Sequence, residues 1–263
     1  MNRRGFALLA VLWVVTALTA VTGAGVLVAR IGSETTRNRI LLARAEWARD
    51  ACGEILAARF AVTPTIQELA PVDLGRGTWC RAWLEDPAAK VNLNTVDREA
   101  LVQLFTSVGV QSNLADSVIM RRKQAPIYDL RQIHGLDSGA IDRLSPFVTT
   151  RGAGVINVNA APPQVLRLLP GMTEESVVIV MSRRSTRVLS NADELAGALS
   201  QPSRAVFLSS YAEFVRAAVF APPQLIATLE GGVRGPPYFL VARTTLTVVP
   251  VPGRLAVIRR ESE

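Results

Sequence analysis

Hydrophobic and polar positions divide this chain into stretches of different rhythm. From Phe6 to Ala29 no acid or base interrupts the apolar side chains. About two dozen residues at ~1.5 Å rise each exceed the roughly 20 that cross a hydrocarbon core about 30 Å thick, so the segment predicts a membrane-spanning helix. Beyond it Leu41, Ala45, Ala48, Cys52 and Ile55 recur at spacings of four and three, one apolar stripe, with Arg37, Arg39, Arg44, Arg49 and Asp50 mainly off it. No proline falls between Phe6 and Ala61, so a single helix is expected to run through both segments until Pro64 stops it. Gly23, Gly25 and Gly32 soften it near the membrane exit, each costing about 1 kcal/mol relative to Ala.

The rhythm then changes to a period of two. Thr78-Trp79-Cys80-Arg81-Ala82-Trp83-Leu84-Glu85 alternates two kinds of side chain and reads as a strand. Glu213 to Phe220 and Tyr238 to Val249 are rich in Val, Phe, Tyr and Thr, and Leu255 to Ile258 follows a Pro250-Val251-Pro252-Gly253 turn. These strands predict an antiparallel sheet over the long helix, split in sequence by about 120 residues of other character. That interval repeats itself. Val91-Asn92-Leu93-Asn94-Thr95 is echoed by Ile156-Asn157-Val158-Asn159-Ala160, and Leu101 and Leu104 align with Leu166 and Leu169. Each copy continues into a helix ending in paired bases, Arg121-Arg122 and Arg183-Arg184, then a shorter helical stretch. Thr95, with Asp97 and Glu99 in the first turn, Pro162-Pro163, and Thr173 before Glu174 and Glu175 mark helix starts. The interval therefore predicts an all-helical insert of two related units.

Charge and chemistry narrow the functional classes. There are 29 basic and 22 acidic residues, a net charge of +7. Such a balance suits nucleic acid or an anionic membrane, but the bases are scattered over the chain, and no nucleic-acid partner is expected. His134 is the only histidine, which removes a histidine triad or a multi-histidine metal site, and no phosphate-binding G-x-x-x-x-G-K-[ST] loop occurs. Asp129, Asp137, Asp142, Asp193 and Glu194 read as caps or solvated faces, and the Arg pairs either as phosphate ligands or as complements to a helix dipole. No catalytic constellation emerges. Cys52 and Cys80 are the only cysteines, and they read either as a disulfide tying helix to strand or as two thiols packed in a core.

The residues before the span add a sharper signal. Arg3 and Arg4, with no acid beside them, keep the N-terminus cytoplasmic and leave the chain beyond Arg30 outside. No A-x-A site comes after an h-region of signal-peptide length. Arg3-Arg4-Gly5-Phe6-Ala7-Leu8-Leu9 resembles the class III leader of type IV pilins and type II secretion pseudopilins; an uncleaved signal anchor and a twin-arginine signal are the other readings. The resemblance implies that a prepilin peptidase cuts after Gly5 and methylates Phe6. Most pilin-like proteins carry Glu at the fifth mature position, where this chain has Ala10. A carboxylate at that depth costs about 2.5–3.5 kcal/mol and is kept only where a partner meets it. In the family that partner is the amine of the preceding subunit, which a subunit at the fibre tip lacks.

Leader, missing acid, split sheet and repeated N-x-N segments together resemble the K-type minor pseudopilin of type II secretion (general secretion pathway protein K). The implied fold is α+β, a pilin-like long N-terminal helix on an antiparallel sheet with an inserted all-α domain of two helix-hairpin-helix-like repeats. Its parts would be a leader at 1–5, a transmembrane part at 6–29, and a first core part at 30–87. The insert would cover 88–203, with repeats at about 91–145 and 155–200, and the second core part 204–263. The resemblance implies the I- and J-type minor pseudopilins, the major pseudopilin, the prepilin peptidase and the inner membrane as partners. It also implies a docking face at Leu41, Ala45, Ala48, Cys52 and Ile55, and calcium in the helical domain, although no D-x-[DN]-x-[DN]-G loop is present to hold it. A competing resemblance is to helix-hairpin-helix DNA-uptake proteins, whose Gly-x-Gly hairpin meets a phosphate. Here Val108-Gly109-Val110-Gln111 and Pro170-Gly171-Met172-Thr173 each lack the second glycine.

Overall fold

A single helix of 60 residues, α1 (Arg3–Val62), opens the chain in the computed structural model, which describes residues 3–64, 67–235 and 238–262. Residues 11–40 of α1 are exposed throughout. Thr16, Thr19 and Thr22 return their hydroxyls to carbonyls one turn back, so none of these three threonines needs an outside partner. Among the described residues α1 is the one helix long and apolar enough to cross a membrane, with a window of mean hydropathy 2.1, none of it buried.

Two strands come next, β1 (Glu68–Gly75) and β2 (Thr78–Glu85), and then the insert. Its first unit comprises β3 (Val91–Asn92), α2 (Arg98–Ser107), α3 (Leu114–Gln124), α4 (Ser138–Leu144) and β4 (Val148–Thr149). The second comprises β5 (Ile156–Asn157), α5 (Pro163–Leu166), α6 (Glu174–Arg184), α7 (Ala192–Ala198), α8 (Gln201–Ser209), α9 (Tyr211–Ala217) and β6 (Ala218–Val219). Each unit closes on itself: β3 pairs in parallel with β4, and β5 with β6. One core joins both units, built on Leu101, Leu104, Phe105, Leu144, Leu166, Phe207 and Phe214.

The chain then returns as β7 (Leu225–Gly235), β8 (Tyr238–Val251) and β9 (Arg254–Ser262). The sheet order is β1-β2-β7-β8-β9, antiparallel throughout, with Glu85 of β2 opposite Ile226 of β7. Alternation along β2 turns Cys80, Ala82 and Leu84 toward α1, where Leu56, Phe60, Leu225, Ala227, Leu229 and Val248 complete a second core. Gly231 makes the closest approach: a Cβ there would lie 2.1 Å from the Arg49 nitrogen and 2.2 Å from the Ala45 carbonyl, so only glycine lets strand and helix meet.

The structure is α+β as expected, with three corrections. The insert is not purely helical, because two-residue parallel strands close both units. Glu213 to Phe220 is not a strand. It is mostly α9, so helices run past residue 203 to Ala217. Phe207, Tyr211 and Phe214 recur at four and three and stack edge to face, a helical period hidden in a Val- and Phe-rich stretch. Two of the five sheet strands, β1 and β7, carried no sequence expectation; in β7 the Gly231-Gly232 pair breaks the alternation.

Candidate functional site

The two N-x-N segments do the same work in both units. Asn92 and Asn157 accept from the backbone nitrogens of Asn94 and Asn159 two residues on, which tightens each turn. Asn94 accepts from Ile127 N at 2.8 Å and donates to the Ile127 and Thr150 carbonyls at 2.9 and 3.1 Å. Asn159 accepts from Leu189 N at 2.9 Å and donates to the Leu189 and Phe220 carbonyls at 2.8 and 2.7 Å. One amide thus ties the start of each unit to the segment after its second helix and to its exit.

The second base of each Arg pair belongs to the same lock. Arg122 donates to the carbonyls of Leu93 and Val96, and Arg184 donates to that of Ala161 at 2.6 Å. Burial pulls the Arg184 guanidinium down from its ordinary value. Both side chains thus bind backbone of the unit's opening turn, a role that a base at a helix end does not reveal in sequence. The hairpins differ in access. A Cβ on Gly171 would meet Phe207 and Ser210 at 3.1 to 3.2 Å, because α8 lies across this turn. Ser200, just before α8, and Ser203 on it donate to Glu175 and hold its carboxyl below the ordinary range. The Gly109 hairpin has open space above it. Among the described residues no group of three or more His, Cys, Asp or Glu is brought together that could hold a metal ion.

On α1 the structure corrects the docking face. Ala45, Ala48 and Cys52 are 0% exposed against the chain's own sheet, and Leu41 and Ile55 are half-buried at its edges. An apolar stripe on one helix does not reveal whether it covers a sheet of the same chain or another protein; here it covers its own. Among the apolar side chains that α1 leaves outward beyond the span are Ile40 (50% exposed), Leu42 (46%) and Trp47 (60%). Gly5 and Phe6 fall in its first turns. Cys52 and Cys80 meet across the helix and strand interface as buried free thiols, and burial pushes both above the ordinary thiol range.

The opposite sheet face carries an aromatic and arginine ladder. Arg81 lies over Trp79 and Trp83, Arg243 over Trp83 and Arg234 over Trp79, with Glu230 paired to Arg81 and Arg243 in the middle. Insert and sheet meet at Asp86, which accepts from Asn157 Nδ2 at 2.7 Å and from Ala88 N at 2.9 Å. Desolvation raises its carboxyl above the ordinary range against those two hydrogen bonds. Arg151 and Glu261 form a second tie at 3.1 Å.

No protein-family model matches the chain, and no curated protein does. Among solved structures it is similar to a chain of the GspK-GspI-GspJ complex from the enterotoxigenic Escherichia coli Type 2 Secretion System, at 15% identity and a TM-score of 0.57, covering 87% of this chain and 99% of that one. The 13% left uncovered is about 34 of 263 residues, far fewer than the insert from Val91 to Val219, so the likeness takes in core and insert together. This chain therefore shares its α+β fold with a protein of that complex.

Proposed function

We propose that the chain is a K-type minor pseudopilin, a non-enzymatic subunit at the tip of a type II secretion pseudopilus. It is held in the inner membrane by residues 6–29 with its folded part in the periplasm, joins I- and J-type minor pseudopilins, and starts growth of the fibre of major pseudopilin that supports export of folded proteins. The observation that carries this reading is the fold likeness across 99% of a chain from a complex of such subunits. Ala10, with no acid to offer a preceding subunit, agrees with a tip position. Against the DNA-uptake reading stand Gly171, packed under α8, and Arg122 and Arg184, which hold backbone carbonyls.

The test is association. Full-length chain in detergent should co-purify with the I- and J-type minor pseudopilins, and Trp47→Glu, on the outward face of α1, should weaken that complex while the fold is kept. A chain that ignores both partners, or binds duplex DNA below micromolar at physiological salt, defeats the assignment.

A further inference from the structure

We infer that the end of the sheet nearest the membrane is a docking surface for anionic phospholipid headgroups, formed by Arg37 and Arg39 of α1, Arg76 of the β1–β2 turn, and Arg234 with Phe239 at the ends of β7 and β8. This rests on the proposed membrane anchor and adds a lipid partner to it.

Register places these residues at one level. Gly231 lies against the turn from Ala45 to Arg49, and Leu225 lines the same cavity as Phe60 and Pro64. Six residues of β7, about 20 Å at ~3.4 Å each, thus run beside some thirteen of α1, also about 20 Å at ~1.5 Å each, and strand and helix are nearly aligned. Arg234, three residues beyond Gly231, reaches the level of Arg39. Its backbone nitrogen bonds to the Gly77 carbonyl, which sets Arg76 beside it, and Phe239 is its partner across the ladder. From Ala29 to Arg39 is about 15 Å of helix. The headgroup layer takes up roughly 5–7 Å of that, and the remainder is about one Debye length at physiological salt.

The chemistry of the rim suits such a surface. Among the described residues Arg39, Arg76 and Arg234 have no ion pair; the nearby acids are Asp73, which accepts from Gly75 N, and Glu34, which pairs with Arg30. Arg76 occupies an exposed turn at φ 53°. Phe239 is 61% exposed and stacks on Trp79 at 6.1 Å, an apolar ring standing out beside the arginines. The span keeps the rim beside a bilayer, so binding is intramolecular and a few charges suffice, each worth at most about fivefold in occupancy at an anionic surface and less a Debye length away.

The test is amide hydrogen exchange on the full-length chain in nanodiscs of phosphatidylcholine alone or with one-third phosphatidylglycerol. Exchange across residues 74–77 and 233–241 should slow severalfold in the anionic discs while amides of the helical insert stay unchanged. Combined Arg76→Glu and Arg234→Glu should abolish that difference, with unchanged protection at Cys52 and Cys80 showing an intact fold. Equal exchange in both discs, or protection that survives charge reversal, overturns the proposal. So does the same protection produced in phosphatidylcholine discs by inorganic phosphate or by duplex DNA. A chain that does not enter nanodiscs at all refutes the anchor instead, and failure to bind the other minor pseudopilins refutes the pseudopilin reading, so the three failures are separable.

Discussion

Asn157 donates from Nδ2 to an oxygen of Asp86 at 2.7 Å, a bond between the first residue past β2 and the turn that opens the second helical unit. Folding raises the Asp86 pKa, chiefly by desolvation, so the native state binds this proton more tightly than the unfolded chain does. The resulting stability is full below the ordinary carboxylate range and is lost as pH rises through the folded value. Wild type should therefore lose stability relative to Asp86→Asn as pH rises from the ordinary carboxylate range, near ~4, through the higher folded value. Denaturant midpoints of both proteins across that range check this; a constant difference between them contradicts it.

Asn94→Ala and Asn159→Ala should each cost about 2–3 kcal/mol, since each strands a backbone nitrogen and two carbonyls that had one amide as partner. The losses should be similar in size, because the two sites repeat each other's bonds. Urea unfolding of the single and double variants measures both effects.

Gly231→Ala places a methyl group inside the backbone of α1 and should lift the helix from the sheet, costing about 3 kcal/mol or more. Thiol labelling of the reduced protein without denaturant reads the outcome directly: Cys52 and Cys80, both 0% exposed in the wild type, should become reactive.

Much of this architecture is legible from residue order. The span, the continuation of α1 to Val62, β2, the two-unit insert and the cap at Thr173 all come from period, proline placement and short polar side chains. The locks at Arg122 and Arg184 are not, because a base at a helix end looks the same whether it faces solvent, a phosphate or a carbonyl across the fold. By residue order Thr95 caps α2; in the structure the cap is Asp97, whose carboxylate accepts from Ala100 N at 2.7 Å, while Thr95 belongs to the preceding turn. The stripe from Leu41 to Ile55 is visible as a stripe, but its cover is not: choosing between sheet and partner needs Gly231, a long-range neighbour absent from local pattern.

If the leader reading holds, the mature protein begins at N-methylated Phe6, and Gly5→Leu blocks processing. Ala10→Glu should leave processing intact and bring no gain in assembly, for want of an amine to pair with. Mass spectrometry of the N-terminus decides; an intact Met1 or a cut near Ala20 refutes it.

In an oxidising compartment Cys52 and Cys80 should be joined, each thiol giving up a proton and an electron to a thiol oxidant as the sulfur–sulfur bond forms. Non-reducing peptide mapping of the exported chain should find that bridge, and two free thiols would rule it out.

Glu85 and Ile226 face each other across β2 and β7, so the chain leaves the sheet and returns to it at adjacent places after well over a hundred residues. To the sheet, the whole excursion is equivalent to a hairpin loop. Each helical unit likewise begins and ends on neighbouring strands. The insert is thus a cassette whose two units share one core, entered and left without interrupting a single pairing in the platform that carries it.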